Sequence, residues 1–193
     1  MTQTETCIEF IMKKYVFALL LAASLSVNST EQINDVFIVD GVEYEIEVMP
    51  FGASPLEKLY GFDEILAMLQ LEGWCSANWR GYKGTWEVID NQLYLTELVK
   101  GACSRNPPSV DPELFFGEKE YPVKATWLSD SISIRLTERE PIRCDEQDSS
   151  QGVIGFEHQA MVYEFSSGEL IHKFEHKVED IWEEPALECE AID

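Results

Sequence analysis

Apolar and polar residues alternate with period two over much of the chain, the spacing of strands that bury one face. In VFIVDGVEYEIEV, Asp40-Gly41 separates two such runs, which is a two-residue hairpin signal. Pairing Val39 with Val42 places Phe37, Val39, Val42, Tyr44 and Ile46 on one face and leaves Val36 and Ile38 beside Glu43 and Glu45. GTWEVIDNQLYLTELV repeats the device: with Asp90-Asn91 as the turn, Val88 faces Leu93 and Trp86 faces Leu95. VKATWLSDSISIRL predicts a third hairpin about Ser129-Asp130, gathering Val123, Ala125, Trp127, Ile132, Ile134 and Leu136, with Leu128 the exception. In HQAMVYEFSSGELIHKFEH a two-residue turn at Ser167-Gly168 gathers Met161, Tyr163, Phe165, Leu170, His172 and Phe174. A three-residue loop, Ser166-Ser167-Gly168, would instead pair His158 with His176. Register follows the buried face, so the two-residue turn is preferred.

Between the first two hairpins, SPLEKLYGFDEILAMLQLEG changes period. Ile65, Leu66, Met68 and Leu69 have helical spacing, Asp63 is placed to cap and Gly73 to terminate, which predicts one helix or two short ones broken at Gly61. Met68 reads as core filler. The predicted fold is mainly β: an antiparallel meander of hairpins, forming a barrel or a sandwich, with one helical segment packed on it.

The run MKKYVFALLLAASLSVNSTE has the order of a secretory signal: Lys13 and Lys14, an apolar stretch from Tyr15 to Val27, then small and polar residues. The apolar stretch is shorter than the roughly 20 residues of a membrane-spanning helix, so a stable anchor is not expected. Residues 1–11 then read as a start-site artefact ahead of Met12, residues 12–29 as a signal peptide, and 30–193 as a single mainly-β domain with an acidic C-terminal segment. Cleavage after Ser29 is preferred to cleavage after Ser26. The expected location is periplasmic or secreted.

Charge narrows the partners. The chain carries 36 Asp and Glu against 14 Lys and Arg, a formal net charge of −22. Loss of residues 1–29 removes Glu5, Glu9, Lys13 and Lys14 and leaves the excess unchanged. Such a surface repels phosphate backbones, which excludes nucleic acid, and favours a cationic protein as partner. No cofactor is implied.

With Cys7 in the start-site segment, Cys75, Cys103, Cys144 and Cys189 form an even set in an oxidising compartment, which allows three pairings. Extending the second hairpin outward brings Cys75 near Cys103; extending the fourth brings Cys144 near Cys189. Each bridge would contribute about 3 to 4 kcal/mol on the loop-entropy model. The second would pin KVEDIWEEPALECEAID to the domain and lay Trp182 and Leu187 against it.

The most distinctive stretch is CSANWRGYKGTWEVIDNQLYL. Trp79, Arg80, Tyr82 and Trp86 form a candidate binding patch in which Arg80 could stack on an indole or pair with Glu87, and Gly81 and Gly84 permit close backbone packing. The alternative is an aromatic core corner where a strand begins. Over residues 75 to 95 the stretch resembles one in small bacterial proteins, where Trp-Arg-Gly-Tyr leads into Thr-Trp-Glu and Leu-Tyr-Leu. No activity is assigned to that group, so the resemblance implies no catalytic residue.

Catalytic motifs are missing: there is no Gly-x-Ser-x-Gly elbow, P-loop, zinc-type cysteine spacing or dinucleotide fingerprint. His158 and His176 become candidate metal ligands only with the three-residue loop. Asp145, Glu146 and Asp148 in CDEQDSSQG offer oxygen ligands without the alternate spacing of a calcium loop. The expected function is an acidic binding protein, inhibitor- or immunity-like towards a cationic protein. The rival readings are an envelope carbohydrate-active hydrolase using paired carboxylates and a barrel that binds a small apolar ligand.

Overall fold

The computed structural model of the chain describes residues 32–46, 54–71, 73, 75–101, 103–144 and 152–182. The expected start-site segment, signal peptide and both cleavage points lie outside these residues, as do Asp145, Glu146, Asp148, Leu187 and Cys189. The fold is mainly β, with nine strands in one antiparallel-dominated sheet among the described residues. The strands are β1 (Val36–Val39), β2 (Val42–Glu45), β3 (Tyr82–Ile89), β4 (Gln92–Lys100), β5 (Val123–Lys124), β6 (Ser131–Arg135), β7 (Glu140–Arg143), β8 (Val153–Ser166) and β9 (Glu169–Ile181). Their order is β2-β1-β3-β4-β9-β8-β6, with β5 added to β4 and β7 to β8.

Three hairpins form at the turns that the alternation marks. Val39 pairs with Val42, Ile89 with Gln92 and Ser166 with Glu169. Both central residues of each turn have positive φ: Asp40 and Gly41, Asp90 and Asn91, Ser167 and Gly168. That conformation matches the right-handed twist of the flanking strands. Val88 opposite Leu93 and Trp86 opposite Leu95 follow as expected.

The fourth hairpin departs from its expected register one step beyond the turn. Phe165 pairs with Leu170, but Glu164 pairs with His172, so Ile171 is an extra residue in β9. A bulge of this kind shifts every later side chain of its strand to the other face. His172 and Phe174 therefore lie opposite Glu164 and Val162, not beside the buried Tyr163.

The hairpin expected about Ser129-Asp130 does not form. Val123 pairs with Leu95 of β4, and Ala125 N–H donates to Leu93 O (3.0 Å). A turn closed by Leu128 N–H to Ala125 O (3.1 Å) then carries the chain across to β6, which pairs with β8 through Ile132 with Tyr163 and Ile134 with Met161. The buried set is nonetheless largely the expected one. Val123, Ala125, Ile132 and Ile134 are in the core, joined by Leu128, while Leu136 is exposed. Alternation assigns a residue to a face; it does not name the neighbouring strand.

Two features depart from a simple meander. β1 lies parallel to β3, with Phe37 opposite Trp86. The sheet also curls without closing into a barrel: its end strands meet through an isolated bridge between Ile46 and Ile134. Inside the curl, Phe37 of β1 packs edge-on against Tyr163 of β8 with ring centroids 5.0 Å apart.

The helical stretch is in two pieces, divided at Gly61. Ser54 caps a 3-10 turn, Pro55–Lys58, and α1 (Phe62–Leu69) follows. Gly61, not Asp63, is the N-cap, and Gln70 in the left-handed conformation ends the helix before Gly73 is reached. Lys100 Nζ donates to Leu69 O (3.1 Å), a cation at the helix C-terminus. A further helix, α2 (Glu113–Phe116), leaves no visible period in the sequence. Its Phe116 stacks on Trp127 at 5.2 Å, and the Trp127 indole N–H donates to Pro55 O (3.0 Å).

Cys75 and Cys103 are disulfide-bonded, with Cα atoms 6.3 Å apart. Cys144 is also in a disulfide. Trp182 packs edge-on against Phe156 at 5.8 Å. No helix among the described residues is long and apolar enough to cross a membrane.

Gly168 sits where the β8–β9 turn meets β4 and the Ala125–Leu128 turn. Its N–H donates to Leu128 O (2.7 Å) and its carbonyl accepts from Leu93 N–H (2.8 Å). A Cβ there would lie 2.4 Å from Ala125 O, whereas one at Gly41, with a similar positive φ, would meet nothing within 4 Å. Gly168→Ala should therefore cost about 3 kcal/mol or more and Gly41→Ala about 1 kcal/mol, read by urea denaturation. Equal costs would show that the contacts around Gly168 are not tight.

Candidate functional site

The distinctive tryptophan-rich stretch folds around a residue far from it in sequence. Asp35, immediately before β1, is 1% exposed. Its Oδ1 accepts from Arg80 Nη2 (3.2 Å) and Gly84 N–H (3.0 Å), and its Oδ2 accepts from Ser54 Oγ (2.5 Å) and the Trp86 indole N–H (3.0 Å). A carboxylate offers about four lone-pair directions, and here each has a donor. The same residue's backbone carbonyl accepts from Ile46 N–H (2.9 Å).

Each donor is delivered by a separate piece of local structure. Gly84 and Trp86 share one face of β3, two residues apart. A side chain at Gly84 would place its Cβ 2.7 Å from the Trp86 indole nitrogen and 3.2 Å from Asp35 Oδ2. Glycine is what lets the strand backbone reach the carboxylate. Ser54 uses one hydroxyl twice, donating to Asp35 and accepting from Leu56 N–H (3.3 Å) as it caps the 3-10 turn. Arg80 arrives from the turn before β3 and also donates to Ile33 O (3.3 Å).

A second layer surrounds this centre. The Arg80 guanidinium lies 5.2 Å over the Tyr82 ring, and its Nη1 is 4.0 Å from Glu57 Oε1, an ion pair without a hydrogen bond. The Tyr82 hydroxyl donates to that carboxylate (2.5 Å). Burial first, then the charge of Asp35 and the hydrogen bond to Glu57, push the Tyr82 phenol far above its ordinary 10.0. Arg80 Nη1 and the side-chain amide of the buried Asn78 make no hydrogen bond to the described residues.

The candidate patch is thus divided. Arg80, Tyr82 and Trp86 are buried, while Trp79 is 49% exposed and packs on Phe62 of α1 at 5.1 Å. Arg80 pairs with Asp35 rather than with Glu87. Glu87 neighbours Trp86 in the strand, so its side chain leaves from the opposite face, and it sits across from Tyr94. Tyr82, and not an indole, supplies the ring beneath the guanidinium.

Asp35 is hidden in the sequence because it is one of 36 acidic residues and precedes its strand without any motif. The clue lies on the donor side: an arginine, a strand glycine and an indole at close spacing, all needing one acceptor. Among the candidate metal ligands, His158 is buried in β8 opposite Val178, and His176 is exposed in β9 opposite Ala160, so the two are not cross-strand partners. Among the described residues no group of three or more His, Cys, Asp or Glu is arranged to hold a metal ion. With every lone pair of Asp35 engaged, the cluster ties the start of β1 to the 3-10 turn, the turn before β3 and β3 itself.

Comparison with protein-family models, curated proteins and solved structures finds no match to the chain.

Two measurements check the division of the patch. Trp86→Phe removes an indole donor from a buried carboxylate and should cost about 2 kcal/mol or more, whereas Trp79→Ala should cost less than about 1 kcal/mol. The raised Tyr82 value gives stability that is fully present below the unfolded-state value of 10.0 and is lost as pH rises towards the folded-state value, because the unfolded chain releases the proton first. Tyr82→Phe should flatten the fall in stability above about pH 10. An unchanged alkaline profile would count against its burial.

Proposed function

We propose that the chain is an exported, disulfide-bonded binding protein, periplasmic or secreted, that captures a cationic protein in the manner of an inhibitor or immunity protein. The observation that carries this reading is the charge excess of −22 combined with the way the tryptophan-rich stretch is used. Its arginine and two of its aromatic residues are spent on the core, and Trp79 is left at the surface against Phe62. Phe62 is followed in α1 by the exposed Asp63 and Glu64. Aromatic faces beside carboxylates suit a lysine or arginine side chain, which gains cation–π attraction and charge neutralisation together. The Cys75–Cys103 bridge supports a protein that works in an oxidising compartment.

Capture should be electrostatic in rate and aromatic in anchoring. Immobilised oxidised protein, exposed to envelope extract at about 50 mM salt, should retain a basic protein and release it at about 500 mM. Trp79→Ala should weaken that retention at least about tenfold. Failure to enrich any basic protein at low salt, or retention indifferent to both salt and Trp79, would remove the proposal.

A further inference from the structure

β9 has an open edge. It touches β4 at its first residues, through Gln92 opposite Glu169 and Leu170 N–H donating to Asn91 O (2.8 Å), and beyond these no described strand pairs with its outer side. From Ile171 to Ile181 every residue but Val178 is exposed, including Ile171 at 62%, Phe174 at 37% and Ile181 at 46%. Edges like this template pairing with another strand unless their side chains forbid it.

The side chains here allow the strand to pair with a second copy of itself in a charge-matched register. An antiparallel pair of identical strands related by a two-fold axis must place residues of the same face opposite each other, so the axis passes through a residue. Put that axis at His176 and the strand reads as its own complement. Glu175 meets Lys177, and Lys173 meets Glu179, on one face. On the other, Phe174 meets Val178 and His172 meets Asp180. A shift of the axis by one residue destroys the match. Centred on Glu175, Lys173 faces Lys177 and Glu175 faces itself; centred on Lys177, Glu175 faces Glu179. Like charges directly opposite are destabilising, so the pattern both favours the His176 register and rejects its neighbours.

We propose that β9 pairs edge to edge with β9 of a second copy of this chain, antiparallel about a two-fold axis at His176. The sheets of the two copies join into one continuous sheet. Lys177 already bridges Glu157 (2.7 Å) and Glu179 (2.8 Å) within its own chain, and it gains the second copy's Glu175. Two such contacts form, one on each side of the axis.

Charge reversal supplies a test that does not depend on any single variant folding well. The oxidised full chain, examined by sedimentation velocity at up to about 200 µM in about 50 mM salt, should be dimeric. Glu175→Lys sets lysine against lysine and Lys177→Glu sets glutamate against glutamate, so each variant alone should raise the dimer dissociation constant at least about tenfold. Mixed in equal amounts, the two should form a heterodimer. The lysine introduced at position 175 of one copy then faces the glutamate introduced at position 177 of the other, and across the axis the unaltered Lys177 and Glu175 face each other as before. A wild-type protein that stays monomeric, reversals that leave dimerisation unchanged, or a mixture no more associated than its components would each overturn the proposal.

Discussion

The structure is organised around one buried carboxylate. Asp35 joins the start of β1 to the cap of the 3-10 turn, the turn before β3 and two positions within β3, and these segments are otherwise distant in sequence. Burying a charge costs several kcal/mol unless it is paired and its lone pairs are filled. Asp35 meets both conditions, and the arginine it pairs with is itself 5% exposed. Replacing such a pair by apolar residues need not destabilise a protein, but removing one partner leaves the other uncompensated. The pair ties Arg80, in the turn before β3, to Asp35 at the start of β1. Asp35 also accepts from Gly84 and Trp86 of β3, beside the parallel pairing of β1 with β3, a neighbour relation that hairpin logic alone would not produce.

This constraint explains why most of the tryptophan-rich stretch, which in sequence resembles an exposed platform, is buried in space. A cluster of arginine, glycine and tryptophan is what a binding platform needs, and it is equally what a buried acceptor needs. The two uses separate at the acceptor, which lies 45 residues from Arg80. Of the four patch residues only Trp79 stays outside the core: it makes no bond to Asp35 and packs on Phe62 of α1 instead.

Local features of the fold were legible for local reasons. The turns at Asp40-Gly41, Asp90-Asn91 and Ser167-Gly168 and the burial of Phe37, Trp86, Leu93 and Ile134 follow from period-two patterning and from residues that tolerate positive φ. The Cys75–Cys103 bridge follows from extending one hairpin. What the pattern did not reveal is non-local: the transfer of β5 to β4, the parallel contact of β1 with β3, and Asp35 itself. The bulge at Ile171 also leaves no mark in composition, yet it moves His172 and Phe174 off the core face. That shift helps make β9 a strand whose two faces are both largely exposed.

Whether Asp35 and Arg80 act as one unit is read most directly from a double-mutant cycle. Urea denaturation of the wild type, Asp35→Asn, Arg80→Met and the double variant gives the coupling energy. Each single change should cost about 3 to 5 kcal/mol because it strands a buried partner. The double variant should be more stable than the sum of the single losses requires, by about 2 kcal/mol or more. Single losses that add to within about 0.5 kcal/mol would mean that the two residues are independent, and the carboxylate would then not be the organising centre of the fold.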